Sequence, residues 1–160
     1  MIADTMADTA RSFRKPNLLE QAFNRLFGAL VGRGFGLAHN YLLQVPGRKT
    51  GRVYETPVNL LLVDGKRYLV APRGNTQWVR NARSSGEIWL KKGRRRNRFQ
   101  VREVRDQDKP RLLKLYLDQF HTTVQRYFPV PAGSDPERFL AISAQYPVFE
   151  LEPVSLSPGA

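Results

Sequence analysis

Between Tyr41 and Val104 the sequence leaves little room for anything but antiparallel β-structure. An apolar run, Tyr41 to Val45, ends in the turn Pro46-Gly47-Arg48-Lys49-Thr50-Gly51, which carries glycine near both ends. A longer run, Val53 to Val63, reaches Asp64-Gly65, a dipeptide that tolerates positive φ and favours a two-residue hairpin. Arg67 to Ala71 then returns. Glu87 to Lys91 and Arg98 to Val104 read as a further hairpin around Lys92-Gly93-Arg94. Strands joined this tightly must run antiparallel, because a parallel crossover needs about a dozen residues or more. Pro57 removes a ladder donor from the second strand, which implies an edge or a bulge there.

The remaining segments are helical or irregular. Residues Met1 to about Lys15 read as a loose arm. Leu18, Leu19, Ala22, Phe23, Leu26, Phe27 and Leu30 then share one helical face, with Asn17 as N-cap and Gly32 as stop. The 72–85 stretch holds a short helix with Trp78 and Asn81 on roughly one side. Asp106 or Asp108 is expected to cap a longer helix, with Pro110 in its first turn and the stripe Leu113, Tyr116, Leu117, Phe120, Val124 and Tyr127. A Pro/Gly-rich loop and a short helical turn lead to a last strand, Tyr146 to Leu151. A chain of 160 residues suits one domain, here 16–160 after the arm. The expected class is α+β, mainly β: an antiparallel sheet closed into a barrel, with flanking helices.

Charge narrows the partners. Lys and Arg number 26 against 14 Asp and Glu, a formal net charge of +12. That excess suits a phosphorylated cofactor, a nucleic acid or an anionic membrane surface. The absence of cysteine excludes disulfides and thiolate metal sites, and two distant His argue against a His-rich metal centre. No signal peptide is recognisable, and no apolar run approaches the ~20 residues that span a bilayer. A cytoplasmic protein is the expectation.

Several places can carry chemistry. In Gly47 to Gly51, two cations and a hydroxyl occupy a tight turn where backbone N–H groups can join Arg48 and Lys49 around a phosphate; an ordinary basic surface turn has the same composition. It is no nucleotide P-loop, since strands flank it. Gly32 to Gly36 precedes a strand, so it is no dinucleotide fingerprint either. Arg73-Gly74 ends the third strand, and antiparallel order can bring it to the same end of the sheet as the first turn. Trp78 can wall a flat ligand and Asn81 can bond a ring carbonyl; a core Trp with a capping Asn is equally compatible. The run Lys91 to Arg98 suits a solvated hairpin tip. Its aromatics are not interleaved with the basic residues as in single-strand readers, so nucleic acid is disfavoured. Residues 11–33 set Arg11, Arg14, Lys15, Arg25 and Arg33 against Glu20 alone, a pattern that suits peripheral contact with an anionic membrane as well as core packing.

Taken in order, Gly47-Arg48-Lys49-Thr50-Gly51, Thr56-Pro57-Val58, Asp64-Gly65, Ala71-Pro72-Arg73-Gly74, Trp78-Val79-Arg80-Asn81 and Tyr146-Pro147-Val148-Phe149 resemble the deazaflavin-dependent nitroreductase and quinone-reductase family. The resemblance implies a split β-barrel like that of flavin-mononucleotide (FMN) oxidases and the cofactor F420, with FMN as the alternative. It implies that Arg48, Lys49, Thr50 and Gly51 hold the phosphate or the anionic tail. Thr56, Pro57 and Val58 would line the deazaflavin ring, and Ala71, Pro72, Arg73 and Gly74, with Trp78 and Asn81, would close the other side. The implied activity is hydride transfer to an apolar acceptor such as a quinone, an enone or an unsaturated lipid. A protein that only binds a flavin or another anionic ligand in the same groove is the competing reading. No side chain stands out as a catalytic group.

Overall fold

A computed structural model of the chain describes residues 39–155. The arm, the amphipathic helix expected over 17–32 and the glycine-rich stretch after it lie outside the described residues. Six strands form a closed antiparallel barrel: β1 (Asn40–Pro46), β2 (Val53–Val63), β3 (Lys66–Val70), β4 (Glu87–Lys92), β5 (Arg95–Glu103) and β6 (Val148–Pro153), in the spatial order β1-β2-β3-β6-β5-β4. Among the described residues three helices accompany them: α1 (Gln77–Ser85), α2 (Pro110–Val124) and the short α3 (Glu137–Leu140). The expected mainly-β barrel with flanking helices is what forms.

Side-chain alternation explains why the strands are apolar on both faces. Leu60, Leu69, Phe149 and Leu151 point into the barrel with Leu43, Val45, Ile88, Leu90 and Phe99. Their neighbours Leu61, Val70 and Val148 point outward and pack under α2 through Leu113, Tyr116, Leu117 and Phe120, with Phe128, Phe139 and Tyr146 completing that layer. The barrel is therefore filled, and a second core lies between its wall and α2. Helix α1 stops up one end of the barrel with Val79 and Ala82.

Turn chemistry follows the sequence. Asp64 and Gly65 both have positive φ, 51° and 76°, which is what a twisted two-residue hairpin requires. Two expectations are corrected. The second basic hairpin turns at Gly93 and Arg94 alone, so Arg95 to Asn97 belong to β5 rather than to the loop. Neither Asp106 nor Asp108 caps α2: these residues form a 3-10 turn, and Lys109 precedes the helix without a side-chain cap. Lys109 instead buries its ammonium, bonding the Asp106 carboxylate at 2.6 Å and the Ser143 carbonyl at 3.1 Å.

Glu150 on β6 ties three strands together. It is 6% exposed, bonds Arg102 of β5 and pairs with Lys66 of β3 at 3.4 Å. The Arg102 hydrogen bond, ahead of the opposing effect of burial, holds its carboxyl below the usual glutamate range. A depressed folded-state pKa gives stability that is complete above the unfolded value, about 4.3, and is lost as pH falls through it toward the folded pKa. Glu150→Gln should cost about 1–2 kcal/mol at pH 7, since both partners are largely exposed. It should also flatten the acid limb of stability below about pH 4.5. Urea unfolding of both proteins from pH 3 to 7 measures this.

Candidate active site

The barrel is split along β2. This strand has 11 residues. It pairs with β1 from Val53 to Asn59 and with β3 only from Leu60 to Val63. Among the described residues, the far edge of 53–59 has no strand partner. The Leu60 N–H donates to the His39 carbonyl on the β1 side, at 2.8 Å. Alternation therefore turns the backbone of Val53, Glu55, Pro57 and Asn59 toward the open edge. Pro57 sits where its missing N–H costs no ladder bond, in an unbroken register: it marks an edge, not a bulge.

A cavity of about 770 Å³ runs along this edge. Thr56, Pro57 and Val58 form one wall; Ala71, Pro72, Arg73, Thr76 and Trp78 form the facing wall at the α1 end. Trp78 is half-buried against Phe149, with ring centroids 5.7 Å apart. The loop between β3 and α1 bends at Gly74, whose φ of +83° favours glycine. Thr76 directly precedes α1. It is 9% exposed, and its hydroxyl has no hydrogen-bond partner and makes no cap contact. A buried hydroxyl on a cavity wall at a helix N-terminus is an open donor and acceptor for a polar or anionic ligand group.

The basic turn does not line this cavity, and Arg48 ties it to a residue that does. Antiparallel order brings the 47–52 turn and the end of β3 to the same end of the barrel. Arg48 donates to Gln77, a cavity residue, at 2.8 Å. Its backbone N–H and its guanidinium both donate to the Asn81 carbonyl oxygen, at 3.1 and 2.9 Å. Asn81 is 2% exposed and lies outside the cavity lining. The structure thus gives Asn81 the work of fixing the turn to α1. Lys49, Thr50 and Gly51 are exposed on the turn beyond the cavity lining, and the Thr50 hydroxyl accepts from the Arg52 N–H at 3.3 Å. Lys49 meets no carboxylate among the described residues. Of the residues singled out in the sequence, Thr56, Pro57, Val58, Ala71, Pro72, Arg73 and Trp78 line the cavity; Arg48, Lys49, Thr50, Gly51, Gly74 and Asn81 do not.

The remaining wall comes from residues that read in the sequence as core or went unassigned. Tyr116, Phe120, Val124 and Tyr127 reach the cavity from the α2 side, with His39 and Asn59 opposite. The backbone leaves helical geometry at Phe120 (φ −112°, ψ 17°), and its ring lies against His39 with centroids 4.7 Å apart. Burial, then the charge of Lys92, lowers the His39 pKa and favours the neutral ring at pH 7. The Tyr116 hydroxyl is hydrogen-bonded with Asn59, and burial pushes its pKa far up, so it keeps its proton. An apolar stripe by itself does not say which of its residues a cavity will expose. The exposed Gln119, Thr122 and Thr123 beside it are the signal that the helix is not wholly buried.

Residues 18–129 match the family model of the F420H(2)-dependent quinone reductases. The chain belongs to that family. It is accordingly an oxidoreductase, a deazaflavin-dependent reductase, and its barrel is the split barrel of such enzymes. A solved F420-H2-dependent reductase is 18% identical, with a TM-score of 0.50 over 72% of this chain and 95% of that one. A protein of unknown function from Agrobacterium tumefaciens is 12% identical, with a TM-score of 0.51 over 89% of this chain and 60% of that one. At these identities the likeness is one of fold. No curated protein matches the sequence. Among the described residues no helix is long and apolar enough to cross a membrane, and no group of side chains could hold a metal ion.

If Asn81 anchors the turn, Asn81→Ala should cost about 1–3 kcal/mol, because it strands the Arg48 N–H and removes a bond to a charged group. Thermal unfolding of the ligand-free protein measures it; an unchanged melting temperature would return Asn81 to the list of ligand contacts.

Proposed function

We propose that the cavity along β2 binds F420 and an apolar acceptor together, the acceptor being a quinone, an enone or an unsaturated lipid. The observation that carries this reading is the pairing of a free strand edge with the unpartnered Thr76 hydroxyl across a cavity large enough for a tricyclic ligand. The donor set fits the group. Thr56, Pro57 and Val58 offer a flat wall of strand for a ring, with Trp78 facing it. Thr76, the first N–H groups of α1 and Arg73 offer positive potential for a phosphate, with Arg48 held beside them by Gln77. Lys49 extends from the turn toward solvent, where a polyglutamate tail would lie.

When bound, reduced F420 supplies the hydride; the protein's part is to orient, to exclude water and to manage the proton. Val58, Val70, Phe120 and Val124 make the acceptor side apolar. The protonated Tyr116 hydroxyl and the neutral His39 ring are the groups nearest in character to a hydrogen-bond donor for an acceptor oxygen. Membrane contact through the segment 11–33, proposed on its charge pattern, would bring a lipid-soluble acceptor to the enzyme; removing residues 1–31 and measuring co-sedimentation with anionic vesicles tests it.

Thr76→Val separates ligand binding from stability. It removes an unsatisfied buried hydroxyl, so the ligand-free protein should be as stable or more stable. F420 affinity should fall by about 0.5–1.5 kcal/mol. Loss of stability with unchanged affinity would contradict the placement. Lys49→Ala should weaken F420 by about 0.5–1 kcal/mol without affecting the fold, because a pair formed by an exposed lysine is screened.

Cofactor choice gives a further test. FMN shares the tricycle and the phosphate but lacks the glutamate tail. Two screened contacts to that tail would favour F420 about tenfold, and the preference should shrink as salt rises. Dissociation constants for both cofactors at low and high ionic strength measure it. A preference for FMN at low salt would favour the alternative cofactor.

A further inference from the structure

A second cavity, of about 300 Å³, opens at the end of the barrel away from α1 and shares no lining residue with the first. Its position follows from the topology: it gathers the start of β1 (Tyr41), the end of β2 (Leu60), the start of β3 (Arg67), the end of β4 (Leu90) and the start of β5 (Asn97, Phe99). Leu60, Leu90 and Phe99 belong to the barrel's interior cluster and form the floor. Arg67 and Asn97 stand two residues from the inward-facing Leu69 and Phe99, on the same faces of their strands, so they point into the same mouth. Leu62, opposite Arg67 in register, leaves an apolar surface 64% exposed at the rim.

Arg67 is the unusual member. The basic residues around it are satisfied by carboxylates: Lys66 and Arg102 by Glu150, Arg98 by Glu87. Arg67 is half-buried, and among the described residues it has no carboxylate and no hydrogen-bond partner; its guanidinium lies 5.9 Å from the centre of the Phe99 ring. Lys92 lies 4.9 Å from the Tyr41 ring across the same mouth. A half-desolvated guanidinium with its donors open, above an apolar and aromatic floor, is the complement of an anion with a hydrophobic body.

We propose that this mouth is a second binding site, independent of the cofactor cavity, for a small monocarboxylate with a flat apolar body. The carboxylate would pair with the Arg67 fork and the Asn97 amide, and the body would rest on Leu60, Leu90 and Phe99. The volume is at the small end of ligand cavities, which limits the ligand to about the size of benzoate.

The test uses the full chain and two probes of one shape, benzoate and the uncharged benzamide, followed by amide and side-chain NMR shifts. Benzoate should cause saturable shifts at Arg67, Asn97 and Phe99, and should bind at least fivefold more tightly than benzamide. Saturation with F420 should leave those shifts in place. Arg67→Gln should bring the two probes to equal affinity while the remaining spectrum stays that of the folded protein; should this variant not fold, the probe comparison in the unaltered chain decides alone. Absence of saturable shifts at the mouth, equal affinity of benzoate and benzamide in the unaltered chain, or displacement of benzoate by F420 would each overturn the proposal.

Discussion

A length mismatch in one strand sets up the rest of the molecule. β2 is too long for β3, so its first seven residues lean on β1 alone. An unpaired strand edge within an otherwise closed barrel is a row of backbone donors and acceptors without partners, which proteins normally cover or charge. Here it borders a cavity. Pro57 blunts the row by removing one donor, and α2, with the 71–78 segment, walls the cavity from the other side. The same gap that weakens the barrel as a sheet makes it a container for a flat ligand.

The surrounding structure holds that gap open. Glu150 links β6 to β3 and β5 through Lys66 and Arg102, closing the barrel where β2 does not help. Asn81 fastens the basic turn to α1, so the turn and the N-terminus of that helix keep a fixed relation. The stacked pair Phe128 and Tyr146, with centroids 4.4 Å apart, braces the chain leaving α2 against the start of β6, and the Tyr146 hydroxyl donates to the Tyr127 carbonyl. Of these residues Tyr127 itself lines the cavity, and the others hold the elements around it in place.

Much of this was legible in the sequence because it depends on local chemistry. Asp64-Gly65 specifies its hairpin through positive φ, and Pro57 announces an edge or a bulge because it cannot donate. What escaped is what depends on tertiary contact. Asn81 shares a helical face with Trp78, yet a residue's face does not reveal that Arg48 will reach back to it across the fold. Tyr116 and Phe120 fit a core stripe, and only the placement of α2 beside an unpaired edge exposes them to a cavity. The capping expectation at Asp106 and Asp108 failed because the buried Lys109 draws Asp106 to itself. Cross-strand pairing, which no local pattern shows, sets Trp89 opposite Arg98 and puts Arg96 4.7 Å from its ring.

Amide exchange along β2 tests the central claim most directly. The N–H groups of Val53, Glu55 and Asn59 face the open edge and should exchange quickly in the free protein, while those of Thr56 and Val58, turned to β1, should be protected. With F420 bound, Glu55, Asn59 and the amides at the start of α1 should become protected, and the β4–β5 hairpin should not change. Protection confined to that hairpin, or no change along β2 at saturating F420, would contradict the account.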